Sequence, residues 1–221
     1  MKTYTVDSSG FLIEGSNPVR KDLIAGGSAM KTRRAVVLHF TGGADGDGDT
    51  DGDHIKDAGS AADVMRGRGV SAHLVVDRDG TVIQCRSFDM TAGHAGVSRW
   101  KDPGTGKKYA GCNDFTIGIE MANAGDDAGA QKWAVKNAGA KVESARHRNE
   151  SRTLKWEVYP EAQIETVEAI CVALVKRYNL DDVTGHDCVA PERKIDPGPL
   201  FPMERVRAAC GFNGLPVVHS A

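Results

Sequence analysis

The segment Val36-Val37-Leu38-His39-Phe40 constrains the fold more than any other part of the chain. Its apolar run is unbroken and partly β-branched, the pattern of a central strand covered on both faces. Such a strand needs further layers packed against it. His73-Leu74-Val75-Val76-Asp77 and Thr81-Val82-Ile83-Gln84-Cys85 flank Arg78-Asp79-Gly80, and an Asp-Gly pair between two β-prone runs signals a hairpin. Residues 116–121 form another strand candidate. After Pro160, which suits a first helical turn, Ile164, Val167, Ile170 or Cys171, Leu174 and Tyr178 recur at helical spacing. Residues 57–66 read as a short helix ended by Gly67 and Gly69. Residues 1–34 read as a polar lead-in. Residues 126–156 are compatible with a loop, a helix or an exposed hairpin. Strands and helices are mixed, so the class is α/β or α+β, with a sheet partly covered by helices.

A length of 221 residues suits one domain, expected to span 1–221. The 26 glycines and 6% aromatic content favour turns and long loops over a helical bundle. With 28 basic against 30 acidic residues the chain lacks the basic excess that phosphate binding needs, which argues against a nucleic-acid partner. No run of apolar residues is long enough to insert in a membrane. Lys2 has no apolar stretch behind it, so no secretory signal is read and synthesis in the cytoplasm is expected. Cys85, Cys112, Cys171, Cys188 and Cys210 are odd in number, dispersed and free of CxxC pairs, the pattern of reduced thiols.

Two features carry potential metal chemistry. His39 ends the apolar strand, His186 lies in Gly185-His186-Asp187, and Asp196 follows ten residues later. Two imidazoles and a carboxylate are a standard ligand set for catalytic zinc. No HExxH is present, so spacing alone leaves open that His39 is a satisfied, half-buried strand histidine. The second feature is an acidic tract, Asp45, Asp47, Asp49, Asp51 and Asp53, alternating with Gly46, Gly48, Thr50 and Gly52. Read from Asp47 it resembles the start of a calcium loop, but position twelve is Ala58 and the bidentate carboxylate is missing. A solvated loop rimming the site is the preferred reading.

Five blocks, in order, resemble the type 2 N-acetylmuramoyl-L-alanine amidase family. They are Val37–Thr41, Val70–Gly80, Gly93-His94-Ala95-Gly96, Cys112–Glu120 and Gly185–Pro199, the last being the most distinctive. Together they cover roughly residues 35–207, which makes 1–34 and 126–156 additions to a catalytic core. The resemblance implies an α/β fold with a central mixed β-sheet flanked by helices and a zinc groove on one face. It implies that His39, His186 and Asp196 hold Zn2+, that Glu120 is the acid/base carboxylate, and that Lys194 stabilises an oxyanion. Without the resemblance, Glu120 and Lys194 would read as surface charges. His94 and Asn113 match substrate-binding positions, and His73 a structural one. The tyrosine that some phage members carry before that histidine is replaced by Ala72. Cys188, two residues after His186, is a competing thiolate ligand that the family pattern disfavours against Asp196.

The implied activity is zinc-dependent hydrolysis of the lactyl–L-Ala amide of peptidoglycan or muropeptides by a monomer. Two additions to the core, 1–34 and 126–156, favour a phage or prophage lysin that reaches periplasmic murein through a separate pore-former. The alternatives are a cytoplasmic recycling amidase for anhydro-muropeptides, and a non-catalytic peptidoglycan recognition module. Retention of every matched ligand favours an enzyme over the module.

Overall fold

The computed structural model describes residues 2–42 and 56–213. Its centre is a sheet of β4 (Arg20–Lys21), β5 (Ala35–Phe40), β6 (Leu74–Val76), β7 (Val82–Gln84), β10 (Thr116–Met121) and β13 (Asp182–Gly185). Among the described residues the strand order is β13-β5-β10-β6-β7-β4. Neighbours run parallel except β6 and β7, which are antiparallel and joined by the Asp-Gly turn. The sheet is therefore mixed, within an α/β fold.

Side-chain alternation divides this sheet cleanly. Val36 and Leu38 of β5, with Ile117, Ile119 and Met121 of β10, face helix α3 (Glu161–Tyr178) and pack on Ile164, Val167, Ile170 and Leu174. Each such side chain contributes about 1.5–3 kcal/mol by leaving water. The opposite face meets α1 (Ala58–Gly67), where Ala58, Ala61, Ala62 and Met65 cover Val75 and Ile83. Asp57 caps α1 by accepting from the Ser60 N–H at 2.8 Å, and Ser60 returns a bond to the Asp57 N–H. His39 and Glu120 have the parity of the α1 face. On that same face Ala35 and Val37 of β5 pack with Ala95, Trp100, Cys112 and Val189, so both faces of β5 are covered, as its continuous apolar run predicts.

Residues 2–34 are more ordered than a polar lead-in. They contain β1 (Tyr4–Val6), β2 (Leu12–Glu14), β3 (Asn17–Pro18) and the edge strand β4. β1 packs on α3, the Leu12 N–H donates to Gln84 Oε1 at 2.7 Å, and the Arg86 guanidinium donates to the carbonyls of Ile24, Ala25 and Thr91. Long-range bonds of this kind leave no trace in local sequence pattern. Residues 126–156 resolve into both helix and hairpin: α2 (Ala128–Ala138), then β11 (Val142–Arg146) paired antiparallel with β12 (Thr153–Glu157). Only Ala130, Gln131 and Ala134 of α2 are buried, so the helix has little apolar stripe to read. A second hairpin, β8 (Arg99–Lys101) with β9 (Lys108–Ala110), precedes a 3₁₀ turn at Cys112–Asp114. Short helices α4 (His186–Val189) and α5 (Met203–Ala209) complete the described chain. None of the five cysteines is disulfide-bonded.

β12 is fixed to the main sheet by a buried ion pair. The Arg78 guanidinium donates to Glu157 Oε1 at 2.6 Å and Oε2 at 2.9 Å, and Glu157 Oε2 also accepts from the Ala124 N–H at 2.6 Å. The Glu157 side chain is fully buried, so losing its cation strands a charge in the interior. Arg78→Met should destabilise the protein by about 3–5 kcal/mol, measured by urea unfolding. A loss within about 0.5 kcal/mol, the range of ordinary surface substitutions, would show the pair to be dispensable.

Candidate metal centre and groove

Strand register assembles the site. β5 and β10 are parallel neighbours with His39 opposite Glu120, so both side chains leave the same face of the sheet. On the other flank of β5, β13 ends with Gly185 opposite Leu38, and His186 follows at the start of α4. All three groups lie at the carboxyl ends of parallel strands, where open α/β sheets place their ligands. Asp196 comes from the loop after α4. The Asp187 N–H donates to the Asp196 carbonyl at 2.8 Å and ties the two ligand segments together.

His39 Nδ1, His186 Nδ1 and Asp196 Oδ2 lie 2.9 Å from one another, and all three residues are buried. Their partners fix which ring nitrogens carry protons. Thr116 Oγ1 donates to the Cys112 carbonyl, so it and the Thr116 carbonyl both act as acceptors towards His94 Nε2, at 3.2 and 3.3 Å. That proton on His94 Nε2 leaves its Nδ1 to accept from His39 Nε2 at 3.0 Å. His186 Nε2 likewise donates to the Ala95 carbonyl at 3.1 Å. In the neutral rings both Nδ1 lone pairs therefore point at the Asp196 carboxylate, and three acceptors converge with no donor among them. Burial, reinforced by the neighbouring His186, lowers the His39 pKa to about 4 against the opposing pull of Asp196, so a proton does not supply the missing charge at neutral pH. This donor set fits a divalent metal ion.

Glu120 stands beside this cup. Burial, then the Asp196 charge, raise its pKa well above the ordinary value, with Lys194 pulling the other way, and its Oε2 is buried without a partner. Glu120, Lys194 and the cup line one groove of about 400 Å³, walled by Ala61, Val64 and Met65 of α1, by Arg68 at its C-cap, and by Val70, Ser71 and Gly93.

Of the residues singled out from sequence, His39, His186, Asp196, Glu120 and Lys194 meet in this groove. His94 edges it, but both ring nitrogens are engaged, and its place is behind His39. Asn113 Oδ1 accepts from the His94 and Ala95 N–H groups, shaping the 93–95 loop; Asn113 lines an adjoining hollow that shares Val70, Ser71 and Gly93 with the groove. The Cys188 Sγ accepts from the Arg148 guanidinium and stands outside the cup. The acidic tract at 45–53 lies outside the described residues. Sequence reading missed Gly118. A Cβ there would come within 2.4 Å of the His94 ring, so glycine alone lets that ring lie against β10. A glycine inside an otherwise apolar strand is the signal that could have found it.

Fold and site together define an α/β protein with a His/His/Asp metal cup and a protonatable carboxylate on the floor of a groove. The family model described as N-acetylmuramoyl-L-alanine amidase matches residues 29–199, and the chain belongs to that family. It is 38% identical over 141 residues to the 1,6-anhydro-N-acetylmuramyl-L-alanine amidase AmpD of Citrobacter freundii, covering 63% of this chain and 56% of that one. It is 32% identical over 117 residues to the N-acetylmuramoyl-L-alanine amidase AmiD of Escherichia coli, covering 52% and 33%. The match thus spans little more than half the length of the AmpD relative and a third of AmiD. A crystal structure of a selenomethionine AmpD derivative superposes with a TM-score of 0.60 at 28% identity, covering 92% of this chain and 98% of that one.

His73, behind the site, offers a test of its electrostatics. The Gly118 N–H donates to its Nδ1 at 3.0 Å, so its Nε2 carries the proton given to the Met90 carbonyl at 2.9 Å. Burial lowers its pKa to about 4. The unfolded chain binds this proton near pH 6.5 and the folded chain only near 4. Its contribution to stability is therefore complete above about pH 6.5 and is lost as pH falls towards 4, at about 1.4 kcal/mol per pH unit. Nitrogen-detected NMR should show a neutral Nε2–H ring down to near pH 4. Titration near 6.5 would overturn the assignment.

Proposed function

We propose that this protein is a zinc-dependent N-acetylmuramoyl-L-alanine amidase that hydrolyses the lactyl–L-Ala amide of anhydro-muropeptides. The observation that carries the reading is the acceptor-only cup of His39, His186 and Asp196 beside a carboxyl whose pKa is raised. Zinc held by those three residues supplies Lewis-acid polarisation at the reacting carbonyl. Glu120, its pKa raised by burial and by Asp196, is suited to take a proton from the attacking water and return it to the leaving L-alanine amine near neutral pH. The Lys194 ammonium, on the same groove, stabilises the developing oxyanion. His94 holds the His39 ring in its metal-ready tautomer, and Asn113 shapes the groove wall at residues 93–95.

Relatives at 30–38% identity bearing the anhydro-muramyl amidase name support the recycling substrate over the lysin that the sequence favoured. A lysin is favoured where 1–34 and 126–156 are additions to a compact recycling core. The match to the AmpD structure spans 92% of this chain, which carries it well beyond residues 35–207 into 1–34. Solved relatives include AmiD of Escherichia coli with the substrate anhydro-N-acetylmuramic acid-L-Ala-D-γ-Glu-L-Lys, a tripeptide, and a Pseudomonas aeruginosa protein with an anhydromuramic pentapeptide, which agrees with the same ligand class. A solved Clostridium intestinale endolysin, at 17% identity, shares the fold. No described helix is long and apolar enough to cross a membrane.

Rates on purified anhydro-muropeptides and on intact sacculi test the substrate: faster release of peptide from the former is expected, and a preference for sacculi would restore the lysin. Glu120→Gln should cut turnover by about 100-fold or more while zinc stays bound, as read by metal analysis of the dialysed protein. Near-normal turnover would remove Glu120 from the mechanism.

A further inference from the structure

The β11–β12 hairpin reaches back to the metal cup. Its tip, His147-Arg148-Asn149, contacts both segments that carry ligands on the loop side. His147 is buried; its Nδ1 accepts from the Asn149 N–H at 3.0 Å, so Nε2 carries the proton donated to Asp187 Oδ2 at 2.9 Å. The Arg148 guanidinium reaches the same oxygen at 2.6 Å. The Asn149 side-chain amide donates to the backbone carbonyls of Asp187 and Lys194, each at 3.3 Å. One side chain thus bridges the residue after His186 and the residue two before Asp196. The Asp187 N–H to Asp196 carbonyl bond closes the same ring from the inside.

The base of the hairpin is held separately. Trp156 is buried and donates to the Ala145 carbonyl, and a Cβ on Gly198 would sit 3.1 Å from its ring. Arg78 fixes Glu157 at the end of β12. The tip can therefore be altered without releasing the hairpin from the body.

We propose that His147, Arg148 and Asn149 are positioning residues that clamp the spacing of His186 and Asp196 and so set metal affinity. The proposal rests on the reading of the cup as a zinc site. A His and a carboxylate on separate turns must hold their separation within a few tenths of an ångström to bind zinc well, and groups behind the ligands typically account for about 10–100-fold in affinity.

Asn149→Ala, at an exposed turn position, and His147→Ala are compared with the parent by zinc titration against a competing chelator. Both should bind zinc about 10–100-fold more weakly, with an altered visible spectrum of the cobalt-loaded protein; for Asn149→Ala, at its exposed position, the melting temperature of the zinc-free protein should be unchanged. His147→Gln, which keeps an N–H donor for Asp187, should regain affinity. Glu143→Ala, on β11 away from the tip, should bind zinc like the parent. Variants that match the parent within twofold would overturn the clamp while leaving the zinc site intact. So would variants that lose zinc-free stability with affinity unchanged. A parent that binds no zinc would overturn the zinc reading, and the clamp with it.

Discussion

Parallel pairing of β5 with β10 and of β5 with β13 is the constraint from which the site follows. It puts His39 opposite Glu120 and brings the end of β13, hence His186, to the same end of the sheet. A slip of one residue in either pairing would turn a ligand to the α3 face. The alternation Val36, Leu38 against His39 makes that slip costly, because it would also expose the β5 residues that pack on α3. The hydrophobic core therefore enforces the geometry of a polar site that it never touches.

The second requirement is that the acceptors of the cup face one another. Left to themselves, two imidazoles and a carboxylate 2.9 Å apart would share protons. Carbonyls at Thr116 and Ala95, each limited to accepting, commit the outer ring nitrogens to donating. The backbone thereby prepares the inner nitrogens for a cation before any cation arrives. Burial completes the arrangement by lowering the His39 pKa and raising that of Glu120, two opposite shifts with one cause. Pairs of groups whose environments push their protonation apart are the usual basis for assigning acid/base roles.

Much of this was legible in sequence because its signals are local. The apolar run at 36–40, the Asp-Gly turn at 79–80 and Pro160 before a 3.6-residue pattern each state their own role, whereas the roles in the Gly185–Pro199 block were legible only through family resemblance. Elements held by distant partners were not legible. The lead-in is ordered by bonds such as Leu12 to Gln84 and Arg86 to Ile24, across some sixty or seventy residues. α2 escaped because its buried face is Ala130, Gln131 and Ala134, too small and polar to give a hydrophobic stripe. Family resemblance places His94 at the groove but says nothing of its bond to His39, which only the fold reveals. Gly118 was passed over as an ordinary strand residue, although its missing side chain is what admits the His94 ring.

The short strand β4 has a consequence of another kind. It is two residues long, both exposed and both cationic, Arg20 and Lys21, and it occupies the outer flank of β7. A bare β7 would offer a row of unpaired amides to any strand from another molecule. A brief, charged strand instead presents little ladder to extend, and two like charges would meet if a second copy approached the same border. The N-terminal segment thus does for colloidal behaviour what the helices do for the faces of the sheet: it closes a side along which the protein could polymerise.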